Sequence, residues 1–188
     1  MIRSAYSSAL IRATCDAFIV EVERIFRQEN LSYKIDNDGV VHYFQDQEFD
    51  ESNSSVIAGL AKASHAAARG AFEEAAAALR GATPDTLTAV RRAFDAVENI
   101  FKMMFSEPRL GTSEINKRLK PLLSTKYEGR TVDAAKLMAS AMSEWVNACH
   151  NYRHAPGEPD PSPPPIEVAV ALVSTAASHI RWLLTLEG

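Results

Sequence analysis

The sequence predicts a mainly α-helical protein, an antiparallel helical bundle preceded by a small helix and a β-hairpin. Two observations carry this. Apolar residues recur at spacings of three and four through five long stretches, the signature of helices with one buried face. One stretch alone, residues 31 to 46, alternates with a period of two. With 188 residues and 46% hydrophobic content the chain can bury a sizeable core.

In chain order, Ala5 to Asn30 reads as a helix, with Leu10, Ile11, Thr14, Phe18, Val22, Ile25 and Phe26 at helical spacing. Tyr33, Ile35, Val41 and Tyr43 then alternate with Lys34, Asp36 and His42 around Asn37-Asp38-Gly39, a hairpin signal. The acidic, serine-rich EFDESNSS has turn composition and is expected to be a loop. Val56 to Arg80 is an alanine-rich helix. Gly81-Ala82-Thr83-Pro84 offers a terminating glycine, a capping threonine and an N1 proline for the next helix. That helix has a strong apolar face in Leu87, Val90, Phe94, Val97, Phe101, Met104 and Phe105. A short helix around Ser113 to Leu123 must be kinked or shortened by Pro121.

Thr131 begins a long helix expected to reach about residue 154, with Leu137, Ala141, Trp145, Ala148 and Tyr152 facing the core and Met138, Met142 and Cys149 beside them. Ala155-Pro156-Gly157 stops it, because the residue before a proline is pushed out of the α region. A proline-rich loop leads to a last helix, Ile166 to Leu184, apolar on most sides. Such a helix belongs at the centre of the bundle or in a dimer interface.

The net charge of −4 argues against a general polyanion binder. Charge is uneven, however: between residues 107 and 130 six basic residues face three acidic ones. Cys15 and Cys149 stand far apart without a CxxC, so neither a disulfide framework nor a cysteine zinc site is indicated. The apolar run near Val168 to Val173 is too short to span a bilayer, and the N-terminus lacks a signal-peptide core. A soluble, cytoplasmic protein with no membrane partner is expected.

The chemistry-bearing stretch is WVNACHNYRHAPGEPDPSPPP, Trp145 to Pro165. On a helix reaching residue 154, Asn147, His150, Asn151 and His154 stand at i, i+3, i+4 and i+7, one polar stripe on an otherwise apolar helix. A histidine near its ordinary pKa serves as acid or base, and arginine binds phosphate bidentately. The candidate catalytic residues are therefore His154, His150, Asn151 and Arg153. Asn147, with Lys117, Arg118 and Lys120 of the basic segment, forms the candidate substrate-binding set.

This stretch, together with AVRRAFDAVENIFKMMF, INKRLKPLL and the final apolar helix, resembles the C-terminal part of HEPN domains, all-α bundles whose long helix ends in an Arg-polar-x-x-x-His type motif. In the family the Arg precedes the His by five to seven positions; here those positions hold Cys149, Ala148 and Asn147, and Arg153 adjoins His154. The resemblance implies a HEPN-like antiparallel bundle over residues 56–188, with residues 1–55 as an appendage of helix and hairpin. It also implies a metal-independent endoribonuclease or RNA-binding protein of a bacterial defence or toxin–antitoxin (abortive infection) type. Such a protein is a homodimer, needs no cofactor and has an antitoxin or other protein as partner. The alternative is a catalytically inactive HEPN-like module that binds a protein or nucleotide.

Four other readings stand beside these. Polar residues in a last helical turn are often simply solvated, and a histidine there gains about 1 kcal/mol or less from the helix dipole. His150 and His154 at i, i+4 have a metal-pair spacing without an obvious third ligand, so no metal is assigned. Glu98 is either an inward carboxylate for Arg153 or a histidine, or a surface partner of Lys102. Tyr33 and Tyr43 can stack on bases or cover the bundle. His42, His65 and His179 are assigned no role.

Overall fold

The computed structural model describes residues 2–29, 31–153 and 161–187, with side chains from residue 11 onward. It is mainly helical, with one two-stranded sheet. The order is α1 (Ile2–Gln28), β1 (Tyr33–Ile35), β2 (Val41–Tyr43), α2 (Gln47–Gly59), α3 (Ala66–Arg80) and α4 (Thr86–Phe105). Then come α5 (Thr112–Glu114), a π-helical turn (Ile115–Leu119), α6 (Lys120–Lys126), α7 (Gly129–His150) and α8 (Ile166–Leu186).

The hairpin forms in antiparallel register with Tyr33 opposite Tyr43. Its turn is closed by Asp36, whose Oδ1 accepts the N–H groups of Asp38 and Val40, while Gly39 supplies the positive φ of 81°. Tyr33 and Tyr43 meet edge to face, and Tyr33 also meets Phe26 of α1.

The expected loop EFDESNSS is instead the body of α2. Asp46 caps the helix by accepting the N–H of Phe49 at 2.7 Å, and Glu48 and Asp50 complement the helix dipole in the first turn. Phe49, Val56, Ile57 and Leu60 then pack on the core, and Asn53 is buried among them. A turn-like composition was outweighed by a capped amphipathic pattern. The boundary expected at 55/56 falls inside this helix. The expected helix from Val56 to Arg80 is correspondingly broken: α2 ends at Gly59, and a 3-10 turn, Ala63–His65, redirects the chain into α3. The break lets α2 lie on α8 while α3 runs along α4.

The α3/α4 pair is closed by small side chains, Ala68, Ala71, Ala75 and Ala76 on one helix and Ala89, Ala93 and Ala96 on the other, all buried. The cap of α4 is Asp85, which accepts the N–H of Thr88 at 3.0 Å, rather than Thr83. Pro121 does not break the short basic helix. A proline lacks the N–H and crowds the carbonyl four residues earlier, and the π-helical turn just before it opens the backbone there.

Helix α8 is central: it packs on α4, and also on α2, α3 and α7. Among the described residues it is the one helix long and apolar enough to cross a membrane by length and composition, yet Ala169, Val173, Ala176, Ala177, Ile180, Leu183 and Leu186 are buried in the bundle.

Helix α7 is rotated from the expected orientation. Its buried face is Ala135, Ala139, Met142, Trp145, Val146 and Cys149, so Trp145 faces the core as expected; Leu137 is 72% exposed, and Met138 and Ala141 are exposed with it. The indole N–H of Trp145 donates to the Leu172 carbonyl of α8 at 3.0 Å, and its ring stacks on Phe94. A buried indole needs an acceptor, and meeting it turns Leu137 outward.

Two outcomes follow from this packing. Met142→Ala should lower the free energy of unfolding in urea by about 2–4 kcal/mol, whereas Leu137→Ala should change it by about 0.5 kcal/mol or less. His179 lies against Trp145 with its Nε2 buried and without a hydrogen-bond partner among the described residues. Burial pushes its pKa from the ordinary 6.5 down to about 4. The fold then favours the neutral ring, so this stability is complete above the unfolded value and is lost as pH falls through that window. The loss should be on the order of 3 kcal/mol. Urea curves of the wild type and His179→Gln, compared across pH, should diverge below about pH 6.5.

Candidate functional site

The C-terminal end of α7 and the middle of α4 form one polar corner around a buried ring, Phe94. Helix α7 ends at His150, with Asn151 as its cap and residues 151 and 152 in a turn. The expected stripe is therefore not formed as one helical face. Asn147 and His150 lie one turn apart on α7 and are exposed; Asn151 is exposed beyond the last turn; Arg153 has left the helix at a bend. After Cys149 the chain tightens into a turn, with the N–H of Tyr152 donating to the Cys149 carbonyl and that of Arg153 to the His150 carbonyl, and Tyr152 packs on the core. His154 lies outside the described residues.

The early end of the helix brings Arg153 back onto α4. Its guanidinium sits 3.9 Å from the centre of the Phe94 ring, a cation–π contact, and Nη2 lies 3.9 Å from an Asp95 carboxylate oxygen. The His150 ring lies 5.4 Å from the same Phe94 centre. Arg91 fastens the segment from below, donating from Nε to the Tyr152 carbonyl at 2.8 Å. His150 and Arg153 are thus gathered against one aromatic ring although they do not share a helix.

The electrostatics of the corner are mixed. Partial burial, helped by the Arg153 charge, holds the His150 pKa below its ordinary value, and Glu98 pulls weakly the other way. His150 is accordingly a neutral imidazole near pH 7, suited to accept a proton. Burial raises the Asp95 pKa, against the pull of Arg153 and Arg92. Cys149, beside His150 in sequence, is no nucleophile: burial pushes its thiol up to about 12.

The binding set is placed as follows. Asn147 accepts a hydrogen bond from the Thr112 hydroxyl at 3.4 Å, which ties α7 to the start of the basic segment. Lys117 and Arg118 are exposed on the π-helical turn and Lys120 is half-exposed at the start of α6. Arg118 is ion-paired with Glu107. Glu98 is half-buried and accepts the N–H of Leu110 at 3.0 Å, and it reaches His150 only through its charge. The carboxylate facing Arg153 is Asp95. It was detectable, since Arg91, Phe94, Asp95 and Glu98 recur at three- and four-residue spacing along α4. Of the two histidines at metal-pair spacing, His150 is the last residue of α7 and His154 lies outside the described residues. Among the described residues no group of three histidines, cysteines or carboxylates is gathered closely enough to hold a metal ion.

Compared with known proteins, the chain matches no family model, no curated protein and no solved structure.

The corner makes one direct prediction. In an NMR titration the His150 midpoint should lie below that of an ordinary histidine; Arg153→Gln should raise it, and Glu98→Gln should lower it further, because the two neighbouring charges act in opposite directions.

Proposed function

We propose that the chain is a HEPN-like protein that acts on RNA without a metal, a cytoplasmic endoribonuclease or RNA-binding homodimer of a bacterial defence or toxin–antitoxin type. The observation that carries this reading is the convergence of His150 and Arg153 on Phe94 at the open end of α7. Two consecutive residues of a regular helix point about 100° apart, and the chain leaves helical geometry before Arg153, which frees the guanidinium from that constraint.

The chemistry runs through groups on this chain. Neutral His150 takes the proton of a ribose 2′-hydroxyl; the 2′-oxygen attacks the adjacent phosphorus; the bond to the 5′-oxygen breaks, leaving a 2′,3′-cyclic phosphate. Arg153 offers parallel N–H donors to the phosphate oxygens as charge develops there. Asn151 and Asn147 orient the chain, and His154 is the candidate acid for the leaving 5′-oxygen. Lys117, Arg118 and Lys120 hold flanking phosphates, each replacing condensed counterions.

A second reading has its own observation. Arg153 already has Asp95 and an aromatic face as partners, and Arg118 already has Glu107. A catalytically inactive module that binds an antitoxin, another protein or a nucleotide would use the corner for shape rather than for phosphate.

The test is cleavage of a mixed single-stranded RNA in EDTA by purified protein. Wild type should leave 2′,3′-cyclic ends, and His150→Ala, Arg153→Ala and His154→Ala should each lose on the order of 100-fold or more in rate. Absence of cleavage by the wild type at high protein concentration would overturn the nuclease reading.

A further inference from the structure

Helix α1 carries a largely exposed apolar seam among the described residues. Ile11, Cys15, Phe18, Val22 and Ile25 follow one another at spacings of four, three, four and three. That repeat keeps one stripe on one side of a gently supercoiled helix, and its natural occupant is a second helix with the same repeat. In this fold the stripe meets solvent. Ile11 is 62% exposed, Phe18 61% and Ile25 42%; Cys15 is exposed and Val22 half-buried. The helix is held through β1, with Ile19 and Phe26 half-buried on the side next to the seam. Beside the seam lies an open, largely apolar cleft of about 370 Å³, lined by Thr14, Cys15, Phe18 and Ile19 and closed by the hairpin turn at residues 37–39.

We propose that α1 is the dimerisation element of this protein, pairing with α1 of a second copy along the Ile11–Ile25 seam. The area suffices. Aromatic side chains bury about 150–250 Å² each and aliphatic ones less, so the seam at these exposures, wholly covered, offers at most roughly 500 Å² per copy. A symmetric pair then removes about 1,000 Å², the lower bound for a specific interface. Charge selects this place on the molecule as well. Helix α1 holds four arginines against three carboxylates, which leaves −5 on the rest of a chain of net −4. Net charge is therefore smallest along α1, where like-charge repulsion between two copies is weakest. A two-fold pairing presents the same stripe from both sides, and it stands whether or not the chain acts on RNA.

The experiment is sedimentation equilibrium of the full chain at micromolar concentration, with Phe18→Glu, Ile11→Glu and Leu137→Glu as variants. All three positions face solvent in the monomer, so the helical circular dichroism of each variant should match the wild type. The wild type should be a dimer; Phe18→Glu and Ile11→Glu should each raise its dissociation constant at least tenfold, and Leu137→Glu, on the other exposed apolar face, should leave it unchanged. A monomeric wild type, or a dimer that survives both α1 variants or is lost with Leu137→Glu, overturns the proposal.

Discussion

Close packing of α3, α4 and α8 through alanine is the constraint on which the rest of the molecule depends. Where one helix presents Ala89, Ala93 and Ala96 and its neighbours present Ala71, Ala75, Ala169, Ala176 and Ala177, backbones approach closely and large side chains fill the remaining gaps. Phe72, Phe94, Phe101, Ile100, Ile180 and Leu183 occupy those gaps and are almost completely buried. Once α4 and α8 are set in this way, α2 and α7 have fixed surfaces to lie on. The break after Gly59 and the rotation of α7 are both responses to those surfaces.

The corner at the end of α7 illustrates how core packing reaches a polar site. Phe94 belongs to the core through its burial, yet it supports Trp145, His150 and Arg153. Trp145 in turn is anchored by a hydrogen bond to α8. The positions of an imidazole and a guanidinium are therefore set by an aromatic stack below them, and the same burial depresses the His150 pKa. The corner is also partly self-neutralised, since Asp95 faces Arg153. An incoming phosphate must compete with that carboxylate, which is the physical difference between the catalytic and the silent reading.

Among the exposed apolar residues of the described chain, two groups have distinct origins. Leu137 and Met138 are exposed because Trp145 turned the opposite side of α7 inward. The α1 seam is exposed because α1 projects beyond the bundle and is held by the hairpin. The first is a by-product of a hydrogen bond; the second has a repeat of its own that extends over two heptads.

The sequence by itself determined the mainly helical class, the hairpin and its turn, and the α3/α4 pair with its apolar face. In each of these the periodicity and the turn residues act over short range, so local chemistry is sufficient. It also determined that His150, Asn151 and Arg153 stand together in the chain. Tertiary structure decided the rest. EFDESNSS became a helix because Asp46 capped it and the core accepted Phe49 and Val56. The core face of α7 was chosen by an acceptor on another helix, and beyond His150 the chain turns so that Tyr152 packs on the core and its carbonyl meets Arg91 of α4. Asp95 became the partner of Arg153 only when a bend carried the chain back over α4. Apart from the local cap at Asp46, contacts between different segments made these choices, Trp145 with Leu172 and Arg153 with Asp95, and the chain's local pattern does not specify which segments meet.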